Sequence, residues 1–210
     1  MKRMCAVLLA AGESRRMGGA NKLTLPVNGE PLVRRTARVL LASRLEKVVV
    51  VLGHEADVVG PLLAELAVKQ VVNPDYAQGQ MTSVHCGLGA LEAGCDGVMI
   101  ALADQALLTA RDVNALIDAF ESIEEDHVLV PVYRGRRGNP IVLSYAHRRA
   151  ILTGAANLGC RRLIERHPEL VTPLDMDTDH VVFDLDTPED YRELQRRLGE
   201  AGGRCIAREG

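Results

Sequence analysis

The chain has 210 residues, of which 47% are hydrophobic and 3% aromatic, and its net charge is −3. This length suits one globular domain that needs no disulfide or metal for stability. The shortage of aromatic side chains argues against base stacking on single-stranded nucleic acid, and the charge gives no basic footprint for a polyanion. No apolar run approaches the roughly 20 residues of a membrane span, so we expect a cytoplasmic protein without nucleic-acid or membrane partners.

The cysteines indicate a reducing environment. Their number is odd, and no two of them form a Cys-x-x-Cys pair, so the pattern predicts free thiols and neither a disulfide framework nor a zinc site. They are Cys5, Cys86, Cys95, Cys160 and Cys205.

Short β-branched runs alternate with amphipathic segments along the first half of the chain. Strands are expected at 5–10, 47–53, 69–73 and 97–104. Helices are expected at 31–43, 55–66, 81–94 and 109–122. Gly60-Pro61 should interrupt the second of these helices, and Thr109 and Asp112 have the spacing of a capping box at the start of the fourth.

The second half predicts an antiparallel excursion. Strands at 127–133 and 139–144 flank the basic turn Arg134–Arg137, and this spacer is too short for a crossover helix. A helix, a strand and a final helix are then expected at 160–167, 180–186 and 187–199. The pattern predicts one domain over residues 1–200, with a mostly parallel sheet between two helical layers, and a flexible tail over 201–210.

Ligands of such sheets bind beyond the carboxyl ends of the strands. The loop after the first strand contains glycines together with Arg15, Arg16 and Lys22, and it matches neither the P-loop nor the dinucleotide-binding pattern. Exposed backbone amides and these cations would form an anion cradle. Asp104 and Asp186 end two other predicted strands, and one or two carboxylates beside a cationic loop are typical of a Mg²⁺ and nucleoside triphosphate site.

Several motifs in order resemble one family. The stretch LAAGESRRMGGANK (9–22) resembles the signature of nucleotidyltransferases with the molybdenum cofactor guanylyl- and cytidylyltransferase fold. Further similar segments are NPDYAQGQMTSVHCGL (73–88), LADQALLT (102–109), RGNPIVLS (137–144), LGCRRLI (158–164) and FDLDTPEDY (183–191). The resemblance covers almost the whole chain and implies a three-layer α/β/α Rossmann-like nucleotidyltransferase fold.

The resemblance also implies an activity: Mg²⁺-dependent transfer of CMP from CTP to the terminal phosphate of molybdopterin, with release of pyrophosphate. Arg16, Lys22 and Asp104 would be catalytic, and Asp104 and Asp186 would hold Mg²⁺. The nucleotide would be bound by Leu9, Ala10, Ala11, Gly12, Arg16, Lys22, Asn73, Gly79, Ser83 and Asp104. The acceptor would be bound by Gln105, Arg137, Asn139, Asn157 and Arg161. A molybdoenzyme or a chaperone would be a transient partner.

Two sets of positions bear on the substrates. Ala103 and Ala106 flank Asp104-Gln105 where the family has glycine and proline, and Asn139 and Asn157 depart from the family on the acceptor side. Ala11 gives the motif Leu-Ala-Ala-Gly, which is similar to the cytidylyl branch, whereas the guanylyl branch has Leu-Ala-Gly-Gly. The extra methyl group would crowd a purine more than a pyrimidine, so we expect CTP.

Three other functions fit parts of the pattern. A methylerythritol phosphate cytidylyltransferase shares the first motif, but it usually continues with Pro-Lys-Gln where this chain has Asn21-Lys22-Leu23. A nicotine-blue-type oxidoreductase of the same fold family would use NAD(P)H, and it would change the absorbance of a quinoid dye. A non-catalytic nucleotide or cofactor chaperone would bind CTP without releasing pyrophosphate.

Overall fold

The structure is a computed structural model that describes residues 2–92, 94–123, 127–153 and 168–206, the last seven of these by their backbone alone. Its strands in chain order are β1 (Met4–Ala10), β2 (Pro26–Val27), β3 (Glu30–Pro31), β4 (Lys47–Leu52), β5 (Lys69–Val72), β6 (Gly97–Leu102), β7 (Val128–Tyr133), β8 (Arg136–Arg137), β9 (Ile141–Ser144) and β10 (Val171–Asp175). The described helices are α1 (Leu32–Leu41), α2 (Ala56–Val59), α3 (Gln80–Ala90), α4 (Ala110–Glu121), α5 (His147–Leu152) and α6 (Pro188–Ile206).

One mixed sheet forms the centre of the molecule. Its strands follow the order β10-β7-β9-β6-β1-β4-β5, and β8 pairs with β7. The pairs β6-β1, β1-β4, β4-β5 and β10-β7 are parallel, whereas β9 is antiparallel to both of its neighbours. Strands β2 and β3 form a separate two-stranded ribbon. The predicted antiparallel excursion is therefore confirmed, with β9 inserted between β6 and β7.

Apolar side chains on both faces of the sheet create the three layers. The even-numbered residues of β1, from Met4 to Ala10, pack in one buried cluster with α1 and α4. The odd-numbered residues, from Cys5 to Leu9, pack in a second cluster with α3 and α5. Successive side chains of a strand point to opposite faces, so an uninterrupted apolar strand requires a cover on each side. The predicted fold class is confirmed.

Local signals also gave the expected structures. The β4–β5 connection contains the short helix α2 and then a 3-10 turn, Gly60–Leu63, so the predicted interruption is confirmed. Thr109 and Asp112 form the reciprocal bonds of a capping box at the start of α4. Asp190 accepts bonds from the backbone and hydroxyl of Thr187 at the start of α6.

The strand predicted at 180–186 is wrong. Residues Asp179–Val182 form a 3-10 turn, and the chain up to Asp186 joins no strand ladder. The outer edge of β7 is occupied instead by β10, which the sequence reading missed. The 180–186 segment crosses the strand ends, where Leu185 N donates to Asp104 O at 3.0 Å. It therefore places Asp186 beside Asp104 without being a strand.

The expectation of free thiols is wrong for one pair. Cys5 and Cys95 form a disulfide across 90 residues of sequence, with their Cα atoms 6.1 Å apart. The parallel pairing of β1 and β6 brings the start of β1 close to the segment before β6, and this separation is within the range of disulfide bonds. Among the described residues Cys86 is the free cysteine.

The last helix continues to Ile206, past the boundary predicted at residue 200. The helix predicted at 160–167 lies outside the described residues. Across the described ranges, no helix combines the length and apolar character needed to cross a membrane.

Candidate active site

A cavity of about 540 Å³ opens beyond the carboxyl ends of β1 and β6, where parallel sheets bind their ligands. This volume is within the range of small-molecule sites. The cavity is lined by Leu9, Ala10, Ala11, Gly12, Glu13, Ser14, Arg15, Arg16, Lys22, Leu23, Tyr76, Ala77, Gly79, Gln80, Ser83, Leu102, Asp104 and Asp186. Ten of the residues expected to bind the nucleotide or the metal, which come from four of the segments quoted above, therefore line one cavity.

Arg16, Lys22, Asp104 and Asp186 form a charged cluster in the cavity wall. Lys22 Nζ lies 2.5 Å from Asp104 Oδ2 and 2.8 Å from Asp186 Oδ1. Arg16 Nη2 lies 2.8 Å from Asp186 Oδ2. The Lys22 side chain is 12% exposed, whereas that of Arg16 is 68% exposed. Lys22 is therefore a fixed charge inside the cavity, and Arg16 closes the cluster from the solvent side.

Carboxylates decide the electrostatics of the charged cluster. Burial alone would lower the pKa of Lys22, but Asp104 and Asp186 outweigh it and raise that pKa, so the lysine remains charged. A third carboxyl, Asp184, is beside them. Burial, helped by the charges of Asp104 and Asp186, raises the pKa of Asp184 to about 6. Lys22 and Arg136 act on the pKa of Asp184 in the opposite direction, so the charges around this carboxyl are of both signs.

One observation fits a divalent cation at the charged cluster. Asp104 Oδ1 is buried and has no hydrogen-bond partner among the described residues. An anionic oxygen buried in this way is costly unless a cation or donor meets it. Within the described ranges, no group of three or more His, Cys, Asp or Glu side chains is arranged to hold a metal. Mg²⁺ needs no such group, because it takes one or two carboxylates and completes its shell with water and phosphate.

Ala11, Tyr76, Gly79 and Ser83 form a second, uncharged part of the lining, which we call the neutral wall. Ala11 and Tyr76 meet at Gly53, the residue after β4, where an added Cβ would be 2.7 Å from the Cβ atoms of both. Gly79 has φ 121°, a conformation that residues with a side chain rarely adopt, and it immediately precedes α3. The neutral wall therefore depends on two glycines that permit close packing and a sharp turn.

Asn73 lies behind the neutral wall and does not line the cavity. It is 3% exposed, and its Nδ2 donates to Thr82 Oγ1 at 2.8 Å and to Ser83 Oγ at 3.0 Å. Its Oδ1 accepts from Asp75 N at 3.0 Å. Asn73 therefore holds the loop after β5 against α3, and its effect on a ligand is through Ser83.

Of the residues expected to bind the acceptor, Gln105, Arg137 and Asn139 belong to the described part of the chain, and none of these three lines the cavity. Gln105 is 1% exposed, and its Nε2 donates to Asn139 O at 2.6 Å, so its amide group holds the turn before β9. Arg137 is exposed on β8. Asn157 and Arg161 lie outside the described residues.

The sequence analysis missed several lining residues, of which Tyr76 is the largest. It belongs to the 3-10 turn Tyr76–Gln78, which follows the loop after β5. A usable signal was present, because the chain has few aromatic residues and this one lies just past a strand end. Its contact with Gly53 was not visible, because Gly53 belongs to the end of another strand.

An α/β sheet with a glycine loop, a buried lysine and paired carboxylates at its strand ends defines a nucleotide-binding enzyme. The chain belongs to the MobA-like NTP transferase family, whose domain matches residues 6–171. It is thus a nucleotidyltransferase, and the family resemblance seen in the sequence is confirmed.

Relatives within this family have different names. The chain is 31% identical to nicotine blue oxidoreductase of Paenarthrobacter nicotinovorans, with 90% of this chain and 94% of the relative covered. It is 32% identical to purine catabolism protein PucB of Bacillus subtilis strain 168, with coverage of 93% and 97%. It is 26% identical to molybdenum cofactor cytidylyltransferase of Escherichia coli K12, with coverage of 95% and 100%.

Solved structures have the same fold. The Rv0371c homologue from Mycobacterium sp. strain JC1 superposes with a TM-score of 0.82 at 27% identity, covering 95% of this chain and 98% of that one. A manganese complex of Rv0371c from Mycobacterium tuberculosis H37Rv gives a TM-score of 0.74 at 24% identity, with coverage of 91% and 97%.

Proposed function

We propose that the protein is a cytidylyltransferase that moves CMP from CTP to the terminal phosphate of molybdopterin and releases pyrophosphate. The observation that carries this proposal is the charged cluster, in which Lys22 bridges Asp104 and Asp186 beside a neutral wall. A triphosphate needs cations and a metal at one part of its site, and its nucleoside needs an uncharged part. The relative from Escherichia coli supports this choice of substrates by its name.

In this reaction the protein positions the reactants and balances their charge. An oxygen of the molybdopterin phosphate attacks the α-phosphorus of CTP. The bond from that phosphorus to the bridging oxygen breaks, and pyrophosphate leaves with the electron pair. The attacking group is already an anion, so no side chain has to act as nucleophile. Lys22 and Arg16 would offset the charge that grows on the leaving pyrophosphate.

Asp104 and Asp186 would hold the divalent cation, which we propose to be Mg²⁺. When bound, the cation polarises the phosphate oxygens. Lys22 occupies the space between the two carboxylates in the structure, and it would turn from them to the triphosphate when CTP and the cation enter. The manganese complex of the fold neighbour is in keeping with a divalent ion.

The neutral wall would select the base. Ala11 is 7% exposed, and its methyl group packs where Gly53 and Tyr76 converge. The methyl group therefore limits the space for a base both directly and by fixing its neighbours. This supports cytosine over guanine. The molybdopterin nucleotide would then pass to a molybdoenzyme or a chaperone in a transient complex.

The test is a panel of pyrophosphate-release assays with CTP, GTP or ATP, each with Mg²⁺ and molybdopterin. We expect release with CTP to exceed release with GTP or ATP by at least tenfold. A preference for GTP would contradict the choice of base. A parallel arm supplies NADPH and a quinoid dye, because of the similarity to nicotine blue oxidoreductase. Dye reduction without pyrophosphate release would favour the oxidoreductase and overturn the proposal.

A further inference from the structure

Two glutamates of the β4–β5 connection have a left-handed backbone. Glu55 has φ 50° and Glu65 has φ 66°. Glycine adopts this conformation without strain, whereas a residue with a Cβ is strained there. A strained residue persists where its surroundings require it, so a contact of the side chain can explain why glycine is not used at such a position.

The two glutamates differ in their contacts. Glu55 Oε2 accepts a hydrogen bond from Asn21 Nδ2 at 2.9 Å. For Glu65, the described part of the chain contains no side-chain hydrogen bond or ion pair. Both glutamates are exposed, Glu55 with 44% of its side chain, so they differ in their contacts and not in their burial. The backbone role of Glu55, whose carbonyl accepts from Val58 N and Val59 N at the start of α2, would be served equally by glycine. The same Glu55 Oε2 also lies 3.9 Å from His54 Nε2, which is too long for a hydrogen bond, so Asn21 is the close partner of this side chain.

Asn21 immediately precedes Lys22, the lysine of the charged cluster, in the sequence. It is 9% exposed and caps the 3-10 turn Lys22–Thr24, because its Oδ1 accepts from Leu23 N at 3.0 Å. With its Nδ2 bonded to Glu55, the Asn21 amide is used at both ends. The orientation of this turn determines where the Lys22 side chain begins.

A second bond holds the same turn from the other side. Lys22 N donates to Ser14 Oγ at 3.1 Å, and Ser14 is also left-handed, with φ 51°. The Lys22 turn is thus held between two strained residues, one on the glycine loop and one on the corner after β4. Ser14 lines the cavity, whereas Glu55 does not.

We propose that Glu55 is a positioning residue, which acts through Asn21 to fix the backbone turn from which the Lys22 side chain enters the charged cluster. The effect of Glu55 on turnover rests on the proposed function, since it assumes that Lys22 meets the triphosphate. The effect of Glu55 on the position of Lys22 does not rest on the proposed function, because it depends only on contacts among Glu55, Asn21 and the Lys22 turn. The two effects need separate measurements.

The first measurement is the rate at which acetic anhydride modifies the Lys22 amine of the ligand-free protein, followed by mass spectrometry. The exposed Lys47 of the same molecule is the internal reference. Glu55→Gly removes the acceptor and relieves the strain, so we expect modification of Lys22 at least threefold faster than in the wild type. Glu55→Gln keeps an oxygen acceptor, and Glu65→Gly relieves the same strain elsewhere, so both should remain within twofold. An unchanged rate in Glu55→Gly would overturn the proposal.

The second measurement combines pyrophosphate release from CTP with thermal unfolding. Glu55→Gly loses the hydrogen bond from Asn21 to Glu55, so its kcat/KM should fall about tenfold. Its Tm should be unchanged or higher, because the backbone strain is relieved. Asn21→Ala should have a similar effect, and the double variant should be no worse than the more severe single variant. Full activity in Glu55→Gly, or an equal loss in Glu65→Gly, would overturn the proposal. If the wild type releases no pyrophosphate from CTP, the proposed function fails, and the Lys22 modification rates still decide the role of Glu55.

Discussion

The charged cluster and the neutral wall line the same cavity, but they are built in different ways. In the charged cluster, Lys22 contacts carboxylates that are 82 and 164 residues away in sequence, and ion pairs hold the three together. In the neutral wall, Ala11 and Tyr76 are brought together by close packing at Gly53, and hydrogen bonds from Asn73 hold Ser83. Under the proposed function, the charged cluster would serve the reaction and the neutral wall would serve recognition of the base.

This difference has a consequence for substitutions. A change in the charged cluster should mainly reduce turnover, because it removes charge from the place where phosphate charge develops. A change in the neutral wall should mainly alter nucleotide affinity and preference. The following four experiments test this separation, from the largest expected effect to the smallest.

Lys22→Ala should reduce kcat/KM for CTP on the order of 10³-fold, because it removes a preorganised cation from a cavity that partly excludes water. It also leaves Asp104 and Asp186 without their shared partner. Steady-state pyrophosphate release measures the effect. Lys47→Ala removes an exposed lysine at the start of β4 and should retain full activity. A loss below tenfold in Lys22→Ala would contradict the role given to the charged cluster.

Asn73→Ala should destabilise the protein by about 2–3 kcal/mol, because Thr82, Ser83 and Asp75 lose a buried partner. The KM for CTP should rise about tenfold, with less than a twofold change in kcat. Chemical denaturation and kinetics measure the two effects. Asn73→Asp keeps the acceptor for Asp75 and loses both donors, so it should be intermediate in stability. A fall in kcat larger than the rise in KM would contradict the separation of the two parts.

Gly53→Ala should destabilise by about 1–3 kcal/mol, since its new Cβ would overlap Ala11 and Tyr76. The neutral wall has to spread, so the preference for CTP over GTP should fall about fivefold. Ala11→Gly in the same chain should restore part of the stability. Gly89→Ala is the control, because this glycine lies in α3 with open space around its Cα and should be neutral or stabilising. An unchanged nucleotide preference in Gly53→Ala would contradict the shape argument.

Asp184→Asn should stabilise the metal-free protein more at pH 7.5 than at pH 5. The folded-state pKa of Asp184, about 6, is above the ordinary value of 3.8, so the folded state holds this proton more tightly than the unfolded chain does. The protonated Asp184 carboxyl therefore stabilises the folded state fully below pH 3.8, and this stabilisation is lost as the pH rises through 6. Between pH 5 and pH 7.5, the difference in free energy of unfolding between variant and wild type should grow by about 1 kcal/mol.

Urea unfolding at the two pH values, with EDTA present, measures the effect of Asp184→Asn. Asp177→Asn, which removes an exposed carboxylate outside the charged cluster, serves as the control. An equal stabilisation by Asp184→Asn at both values would show that its carboxyl is not perturbed by the charged cluster.

More residues of the charged cluster than of the neutral wall could be located from the sequence. Lys22 and Asp104 follow apolar strands, and the position of strand ends in a parallel sheet is a property of the fold. Asp186 lies beside Lys22 although the strand predicted for it is wrong, because the motif around it and not the strand pattern pointed to this position. Its role as a metal ligand stays a prediction.

The neutral wall depends on tertiary contacts that have no signature in the periodicity of the sequence. Tyr76 was missed and the role of Asn73 was not foreseen, since both depend on how the loop after β5 packs on β4 and α3. The Cys5–Cys95 disulfide escaped for the same reason, because only the pairing of β1 with β6 brings these residues together. For Gln105 the motif was misleading: it was expected to bind the acceptor, but its buried side chain donates a hydrogen bond to Asn139 O in the turn before β9.

The central claim is that the charged cluster transfers the α-phosphate of CTP, with its nucleoside, to the phosphate of molybdopterin. The most direct measurement follows two labels, one on the α-phosphate and one on the γ-phosphate of CTP, through a single incubation with Mg²⁺ and molybdopterin. We expect the α-label to appear on the pterin and the γ-label in pyrophosphate, and both signals to fall at least 100-fold in Asp104→Asn. Equal labelling of the pterin by wild type and Asp104→Asn, or a γ-label on the pterin, would contradict it.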